Sequence, residues 1–77
     1  MTDVRFPQLS EERPDAEGVL ATWFVSDGEP VSSGQLLGEV MVEKVSGEIR
    51  APAAGLVRLL IAEDQTVRQG EVIARIE

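Results

Sequence analysis

The sequence contains two copies of one pattern. Sliding the chain against itself by 36 residues aligns glycine with glycine and apolar with apolar residues. The aligned pairs are Leu20 on Leu56, Phe24 on Leu60, Val25 on Ile61, Val31 on Val67, Gly34 on Gly70 and Val40 on Ile76. A one-residue gap also brings Gly18 onto Gly55. Because a solenoid generally needs three or more repeats, two copies predict a closed domain with pseudo-twofold symmetry.

The match extends upstream with one interruption. Val4-Arg5-Phe6-Pro7 aligns with Ile49-Arg50-Ala51-Pro52, which leaves residues 8–17 as a loop present only in the first copy. A chain of 77 residues is enough for one domain, and a chain of this size buries only about 60% of the surface that its unfolded form exposes. We therefore expect residues 1–77 to form a single domain with a thin core.

The local pattern within each copy is typical of β-strands. Short apolar runs are separated by Gly, Pro, Asp and Ser at intervals of roughly 8 to 12 residues, and no helical stripe of useful length is present. The predicted strands are residues 4–6, 19–25, 36–42, 46–50, 56–61 and 72–76, with short bridging strands near Val31 and Val67. The expected fold is all-β, a flattened barrel or sandwich of two small antiparallel sheets.

The chain's one lysine lies at the joint between the copies. Residues 41–47 are predicted to form a hairpin whose apex holds Glu43 and Lys44. Under the pseudo-twofold axis, the counterpart of this joint is the pair of chain ends. Lys44 is therefore expected to project from the end of the domain opposite the termini.

The composition limits the chemistry that Lys44 could perform. Without cysteine or histidine, the chain lacks Ser/His and Cys/His nucleophile systems and the usual zinc ligand sets, so hydrolytic catalysis is disfavoured. A catalytic lysine must lose its proton, whereas the neighbouring carboxylate of Glu43 favours the charged ammonium. Two interpretations remain open at this point. Lys44 is either the substrate of a separate modifying enzyme or an ordinary exposed turn lysine.

The charge and hydropathy patterns exclude two classes of partner. The formal net charge is −7, and the acidic residues are spread along the chain, whereas a nucleic-acid surface needs clustered Lys and Arg. Apolar runs such as Leu59-Leu60-Ile61-Ala62 are too short to span a bilayer, and the N-terminus lacks a signal pattern. We expect a soluble, cytoplasmic protein that binds neither nucleic acid nor membrane.

Five segments carry a family resemblance. In chain order they are Phe6-Pro7-Gln8-Leu9-Ser10, Glu17-Gly18-Val19-Leu20-Ala21-Thr22-Trp23-Phe24-Val25, Asp27-Gly28-Glu29-Pro30-Val31-Ser32-Ser33-Gly34-Gln35, Leu36-Leu37-Gly38-Glu39-Val40 followed by Glu43-Lys44-Val45, and Ala51-Pro52-Ala53-Ala54-Gly55. In this order and spacing, the chain resembles the lipoyl domains of the 2-oxo acid dehydrogenase acyltransferases, within the broader biotinyl/lipoyl attachment family. Glu43-Lys44-Val45 is similar to that family's Asp-Lys-Ala attachment turn.

The resemblance implies a carrier that is not itself an enzyme. Lys44 would hold lipoic acid in amide linkage, attached by a lipoyl ligase or transferase that recognises the turn through Glu43 and Val45. As a swinging arm, it would shuttle acyl groups and reducing equivalents between a thiamine-dependent dehydrogenase component, an acyltransferase core and a dihydrolipoyl dehydrogenase. In such domains the loop after the first strand lies near the attachment end. The resemblance thus implies a role in partner recognition for residues of this loop, namely Ser10, Glu11, Glu12 and Arg13.

Two alternatives share the fold. A biotin carboxyl carrier domain also attaches its cofactor at a hairpin lysine, but biotin domains flank that lysine with methionines, whereas Glu43 and Val45 flank Lys44. The second alternative is an unmodified domain that serves as a structural or adaptor element. Such domains usually lack the lysine and carry long insertions at this hairpin, and the chain has neither feature.

Overall fold

Eight β-strands and no helix make up the computed structural model, which describes residues 1–77. The strands are β1 (Thr2–Arg5), β2 (Glu17–Trp23), β3 (Pro30–Val31), β4 (Leu36–Val42), β5 (Val45–Arg50), β6 (Gly55–Leu59), β7 (Thr66–Arg68) and β8 (Val72–Ile76). They form two four-stranded sheets with the orders β1-β8-β6-β3 and β5-β4-β2-β7, and every pairing is antiparallel. Because the two sheets do not close on each other, the architecture is a flattened sandwich, which confirms the predicted all-β class.

All eight predicted strands are present, with small differences at their ends. β4 and β8 have the predicted bounds, whereas β2 and β6 end two residues early, at Trp23 and Leu59. The apolar run in the sequence continues past these ends because the next residues still pack. Val25 is buried and Ile61 packs against the core, although both lie in turns.

The pseudo-twofold symmetry is visible in matched pairs of hydrogen bonds. The amides of Gly34 and Gly70 donate to the carbonyls of Ala51 and Phe6, at 2.7 and 2.9 Å. The side chains of Arg50 and Arg5 donate to the carbonyls of those same two glycines, at 3.1 and 2.9 Å. The turn at Gly34 and the turn at Gly70 therefore make the same two kinds of hydrogen bond, one in each half of the chain.

One aligned pair from the sequence is wrong, and a β-bulge explains why. The sequence alignment places Leu20 on Leu56. In the structure, Leu20 pairs with Val40 in β4, and the equivalent pair in the second half is Val57 with Ile76. Leu20 and Val57 are both fully buried, whereas Leu56 is 44% exposed. The register between β2 and β4 shifts between Leu20 and Thr22, so Ala21 is the extra residue. The gap in the repeat thus belongs at Ala21.

A single apolar core fills the space between the sheets. Its fifteen buried residues are all hydrophobic and come from both copies. The largest fully buried side chains are Phe6, Leu20, Leu37, Ile73, Val40, Val42 and Val57. Val42, the last residue of β4, carries this core up to the foot of the hairpin.

The chain ends lie together, away from the hairpin. Thr2 pairs with Ile76, which sets the two termini side by side at the start of β1. β1 runs from that pair to the loop of residues 8–16, which contacts the β4–β5 hairpin. The hairpin therefore lies beyond the far end of β1, as the symmetry predicts.

Candidate modification site

A tight hairpin presents Lys44. β4 and β5 are joined by the two residues Glu43 and Lys44, and Val42 pairs with Val45 at the base of the turn. Glu43 has a φ of 56°, in the left-handed region that residues other than glycine adopt infrequently. The flanking strand pairs and the buried side chain of Val42 hold this conformation, so the apex is a defined part of the sheet.

The side chain of Lys44 is exposed and has no partner. None of the six ion pairs and none of the side-chain hydrogen bonds includes it. Its amine is therefore accessible to an external enzyme and is not held by its own domain. The arrangement can present a primary amine, and a group attached to it would extend into solvent.

Glu43 joins the hairpin to the loop before β2. Its carboxylate pairs with the guanidinium of Arg13 at 3.1 Å and forms no ion pair with the neighbouring Lys44. The pair ties the hairpin to the loop of residues 8–16, which the sequence could not reveal because this loop lies outside the repeat.

The four residues predicted to take part in partner recognition lie beside the hairpin. Ser10, Glu11 and Glu12 line a groove of about 500 Å³ between the loop and the hairpin, and Arg13 reaches across to Glu43. The other residues of the groove are Gln8, Leu9, Val42, Glu43 and Val45. The structure thus brings the loop residues and both neighbours of Lys44 together on one surface, which we call the hairpin groove.

Close packing seats the loop on the hairpin. A Cβ atom added at Gly47 in β5 would lie 2.7 Å from the Cδ2 atom of Leu9, nearer than carbon atoms approach. Gly47 is therefore the position at which Leu9 rests on β5. The sequence offered only a weak signal for this contact, since Gly47 reads as an ordinary turn glycine.

Sequence reasoning missed one residue of this region, Gln69. Its side-chain carbonyl accepts hydrogen bonds from the amides of Leu9 and Ser10, both at 2.8 Å. Its side-chain amide donates to carbonyls farther along the same loop. The repeat contains one indication that Gln69 has a role of its own, because it aligns with the much smaller Ser33.

The structure lacks two features that would indicate other kinds of site. No group of three or more potential metal-ligating side chains is present. The structure contains no helix that is long and apolar enough to cross a membrane.

Comparisons with known proteins match almost the whole chain. The biotin/lipoyl family model, described as "Biotin-requiring enzyme", matches residues 2–76. The dihydrolipoyllysine-residue acetyltransferase component of the pyruvate dehydrogenase complex of Corynebacterium glutamicum is 43% identical over 76 residues, covering 97% of this chain and 11% of that protein. The dihydrolipoyllysine-residue succinyltransferase component of the 2-oxoglutarate dehydrogenase complex of Cupriavidus necator is 37% identical, covering 100% of this chain and 18% of that protein. The chain thus spans less than a fifth of the length of these curated relatives.

A solved structure has the same fold. The solution structure of the lipoyl domain of the 2-oxoglutarate dehydrogenase complex from Azotobacter vinelandii matches with a TM-score of 0.79 and 29% identity. The match covers 100% of this chain and 96% of that domain.

Proposed function

The chain belongs to the biotin/lipoyl attachment family, and on that premise we propose that it is a lipoyl carrier domain with Lys44 as the attachment residue. The observation that carries this assignment is the unpartnered, exposed amine at the apex of a rigid two-residue turn. A ligase needs a lysine in a fixed place, whereas the attached arm must move freely afterwards. A turn at the end of a paired sheet meets both requirements.

The residues around Lys44 fit an attached lipoyl group. The amine can form an amide with the lipoate carboxyl without breaking an ion pair or a side-chain hydrogen bond of the folded domain, because Lys44 makes neither. No cysteine competes for a dithiolane by thiol exchange. Lipoate, once attached, supplies the two sulfurs that accept an acyl group and reducing equivalents.

The domain's own contribution is presentation and not catalysis. No ion pair joins Lys44 to a titratable side chain that could act on a bound acyl group, and the hairpin groove is open to solvent. Holding the arm on a tether raises its effective concentration at each active site that it visits. We propose that the domain serves enzymes and carries out no reaction alone.

Two observations favour lipoate over biotin. The residues that flank the lysine are Glu43 and Val45, where a biotin domain has methionines. The relatives are dihydrolipoyllysine-residue transferases of the pyruvate and 2-oxoglutarate dehydrogenase complexes. A third relative, from Bacillus subtilis, is the lipoamide acyltransferase component of the branched-chain alpha-keto acid dehydrogenase complex.

By the same relationship we propose the partners. A lipoyl ligase or transferase would load Lys44, and the dehydrogenase, acyltransferase and dihydrolipoyl dehydrogenase components of a 2-oxo acid dehydrogenase complex would use it. The dehydrogenase component would contact the hairpin groove, where Ser10, Glu11 and Glu12 lie beside the turn and Arg13 pairs with Glu43.

Parallel reactions with two ligases test whether Lys44 accepts lipoate or biotin. The purified chain is incubated with a lipoyl ligase and lipoate, and separately with a biotin ligase and biotin, each with ATP. We expect intact-mass spectrometry to show the addition of one lipoyl group in the first reaction and no change in the second. Lys44→Arg is the matched control, because it keeps the charge and removes the only side-chain amine. A biotin adduct alone would overturn the proposal.

A further inference from the structure

The loop of residues 8–16 has little structure of its own. Its internal hydrogen bonds are three: the amide of Ala16 donates to the carbonyl of Arg13, the amide of Arg13 donates to the hydroxyl of Ser10, and the side-chain amide of Gln8 donates to the carbonyl of Ser10. No strand pairing crosses it, since β1 ends at Arg5 and β2 begins at Glu17. Contacts from elsewhere in the domain must therefore define its position on the hairpin.

The side chain of Gln69 makes five hydrogen bonds to the loop. Its carbonyl oxygen receives the amides of Leu9 and Ser10, both at 2.8 Å. Its amide nitrogen donates to the carbonyls of three residues at the far end of the loop, Arg13 at 3.1 Å, Pro14 at 3.4 Å and Ala16 at 3.1 Å. One half-buried amide thus gathers both ends of the loop around a single point.

The pseudo-twofold symmetry shows that the turn itself does not need this side chain. Ser33 occupies the equivalent position, one residue before Gly34, and Gly34 and Gly70 have nearly equal φ angles of 84° and 88°. Ser33 is exposed, makes no side-chain hydrogen bond, and has no loop above it. The larger Gln69 therefore serves the loop.

We propose that Gln69 is a positioning residue that fixes the loop of residues 8–16 against the Lys44 hairpin, so that the hairpin groove is already formed before a dehydrogenase component binds. The inference rests on the proposed carrier function and adds to it the residue that shapes the recognition surface. Gln69 acts through the loop, because it lies on the side of the loop that faces β7 and β8 and does not line the groove. A prearranged loop avoids an ordering cost at the moment of binding.

A reciprocal exchange between the two halves tests the proposal. Gln69→Ser installs the residue that the equivalent turn already carries, so the backbone conformation remains compatible. Ser33→Gln is the matched control, since it adds the same side chain to a turn that has no loop to hold. Both variants and the wild type are lipoylated on Lys44. Each is then assayed with the dehydrogenase components of pyruvate and 2-oxoglutarate dehydrogenase complexes and their 2-oxo acids.

We expect Gln69→Ser to change hydrogen exchange and the KM for acylation but not the rate of lipoylation. In Gln69→Ser, the amides of Leu9 and Ser10 lose protection from hydrogen exchange, while lipoylation by the ligase proceeds at the wild-type rate because β4 and β5 build the hairpin. The KM for the lipoylated domain in acylation rises roughly tenfold with kcat unchanged, as expected if the loop occupies its binding geometry about a tenth of the time. Ser33→Gln matches the wild type in all three.

Other results would contradict the role of Gln69, the importance of the loop's position, or the carrier function itself. Retained protection of Leu9 and Ser10 in Gln69→Ser would show that Gln69 does not hold the loop. Lost protection with an unchanged KM would show that the loop's position does not matter to the dehydrogenase, and would leave the carrier function standing. If neither dehydrogenase component acylates the lipoylated wild type, the proposed function itself fails.

Discussion

At the scale of single residues, the accessibility of Lys44 depends on its neighbours. Val42 is buried and anchors the end of β4, while Glu43 turns the chain and directs its carboxylate to Arg13. The lysine that follows has no partner in the domain. Because exposed ion pairs contribute about 0 to 1 kcal/mol, the Arg13–Glu43 pair orients the loop more than it stabilises the fold.

Glu63 gives a pH-dependent prediction. Its carboxylate accepts hydrogen bonds from the hydroxyl of Thr22 at 2.7 Å and from the amide of Trp23 at 2.9 Å, and these bonds hold the pKa of Glu63 below its ordinary value of 4.5. A lowered pKa in the folded state stabilises the fold above the unfolded value and loses that contribution as pH falls through the folded value. We expect Thr22→Val to bring the pKa of Glu63 closer to 4.5.

The measurement is an NMR titration of the Glu63 carboxylate together with urea unfolding across the acid range. Below pH 4.5, Thr22→Val should lose less stability to acid than the wild type does, because less of the Glu63 contribution remains to be lost. Thr66→Val is the control, since it makes the same change at an exposed threonine that makes no side-chain hydrogen bond. A titration curve for Glu63 that does not move in Thr22→Val would contradict this explanation.

At the scale of elements, the two halves differ mainly at β2 and the loop before it. β2 holds the bulge at Ala21, whereas β6 runs against β8 without any shift in register. The first half therefore departs from the symmetric plan next to the strands that carry the hairpin.

Deleting Ala21 tests the origin of the bulge. Removal of this residue takes away the extra residue between the pairs Leu20–Val40 and Thr22–Glu39, and β6 shows that a strand without such a bulge fits the same type of sheet. We expect the deletion variant to fold, with a loss of less than about 1 kcal/mol in the free energy of unfolding. Chemical denaturation monitored by the fluorescence of Trp23 measures this loss.

Deletion of Arg58 from the bulge-free β6 is the comparison. It forces a one-residue slip that turns apolar side chains such as Val57 away from the core, so we expect a loss of about 3 kcal/mol or more. Equal losses in the two deletion variants would mean that Ala21 is an integral part of the β2 register and not an extra residue.

The elements also show which parts of the fold can be predicted from the sequence. The repeat and the short apolar runs locate all eight strands, because burial between two sheets imposes the pattern on the residues themselves. The position of the gap could not be found from the sequence, since Leu56 and Val57 are both apolar and differ only in the folded structure, where Val57 is buried and pairs with Ile76. The interactions of the loop of residues 8–16 with Gln69 and Glu43 were equally inaccessible, because each joins segments that are distant in sequence.

At the scale of the whole molecule, the chain ends and the Lys44 hairpin lie at opposite ends of the domain. The termini pair at one end of β1 and the Lys44 hairpin lies past the other, in a molecule with a longest extent of 34 Å. A domain joined to a larger protein through either terminus would direct Lys44 away from the junction. Lys44 itself could be located from the sequence, because the repeat identifies the joint between its copies without reference to side-chain contacts.

Acylation of the lipoylated chain tests the central claim most directly. The chain is loaded with lipoate on Lys44, and then incubated with a 2-oxo acid and the dehydrogenase component of a pyruvate or 2-oxoglutarate dehydrogenase complex. Intact-mass spectrometry should show the further gain of one acyl group on the loaded chain and no gain on Lys44→Arg treated in the same way. A loaded chain that gains no acyl group from either component, or an equal gain on Lys44→Arg, would contradict the assignment of Lys44 as the arm of a lipoyl carrier.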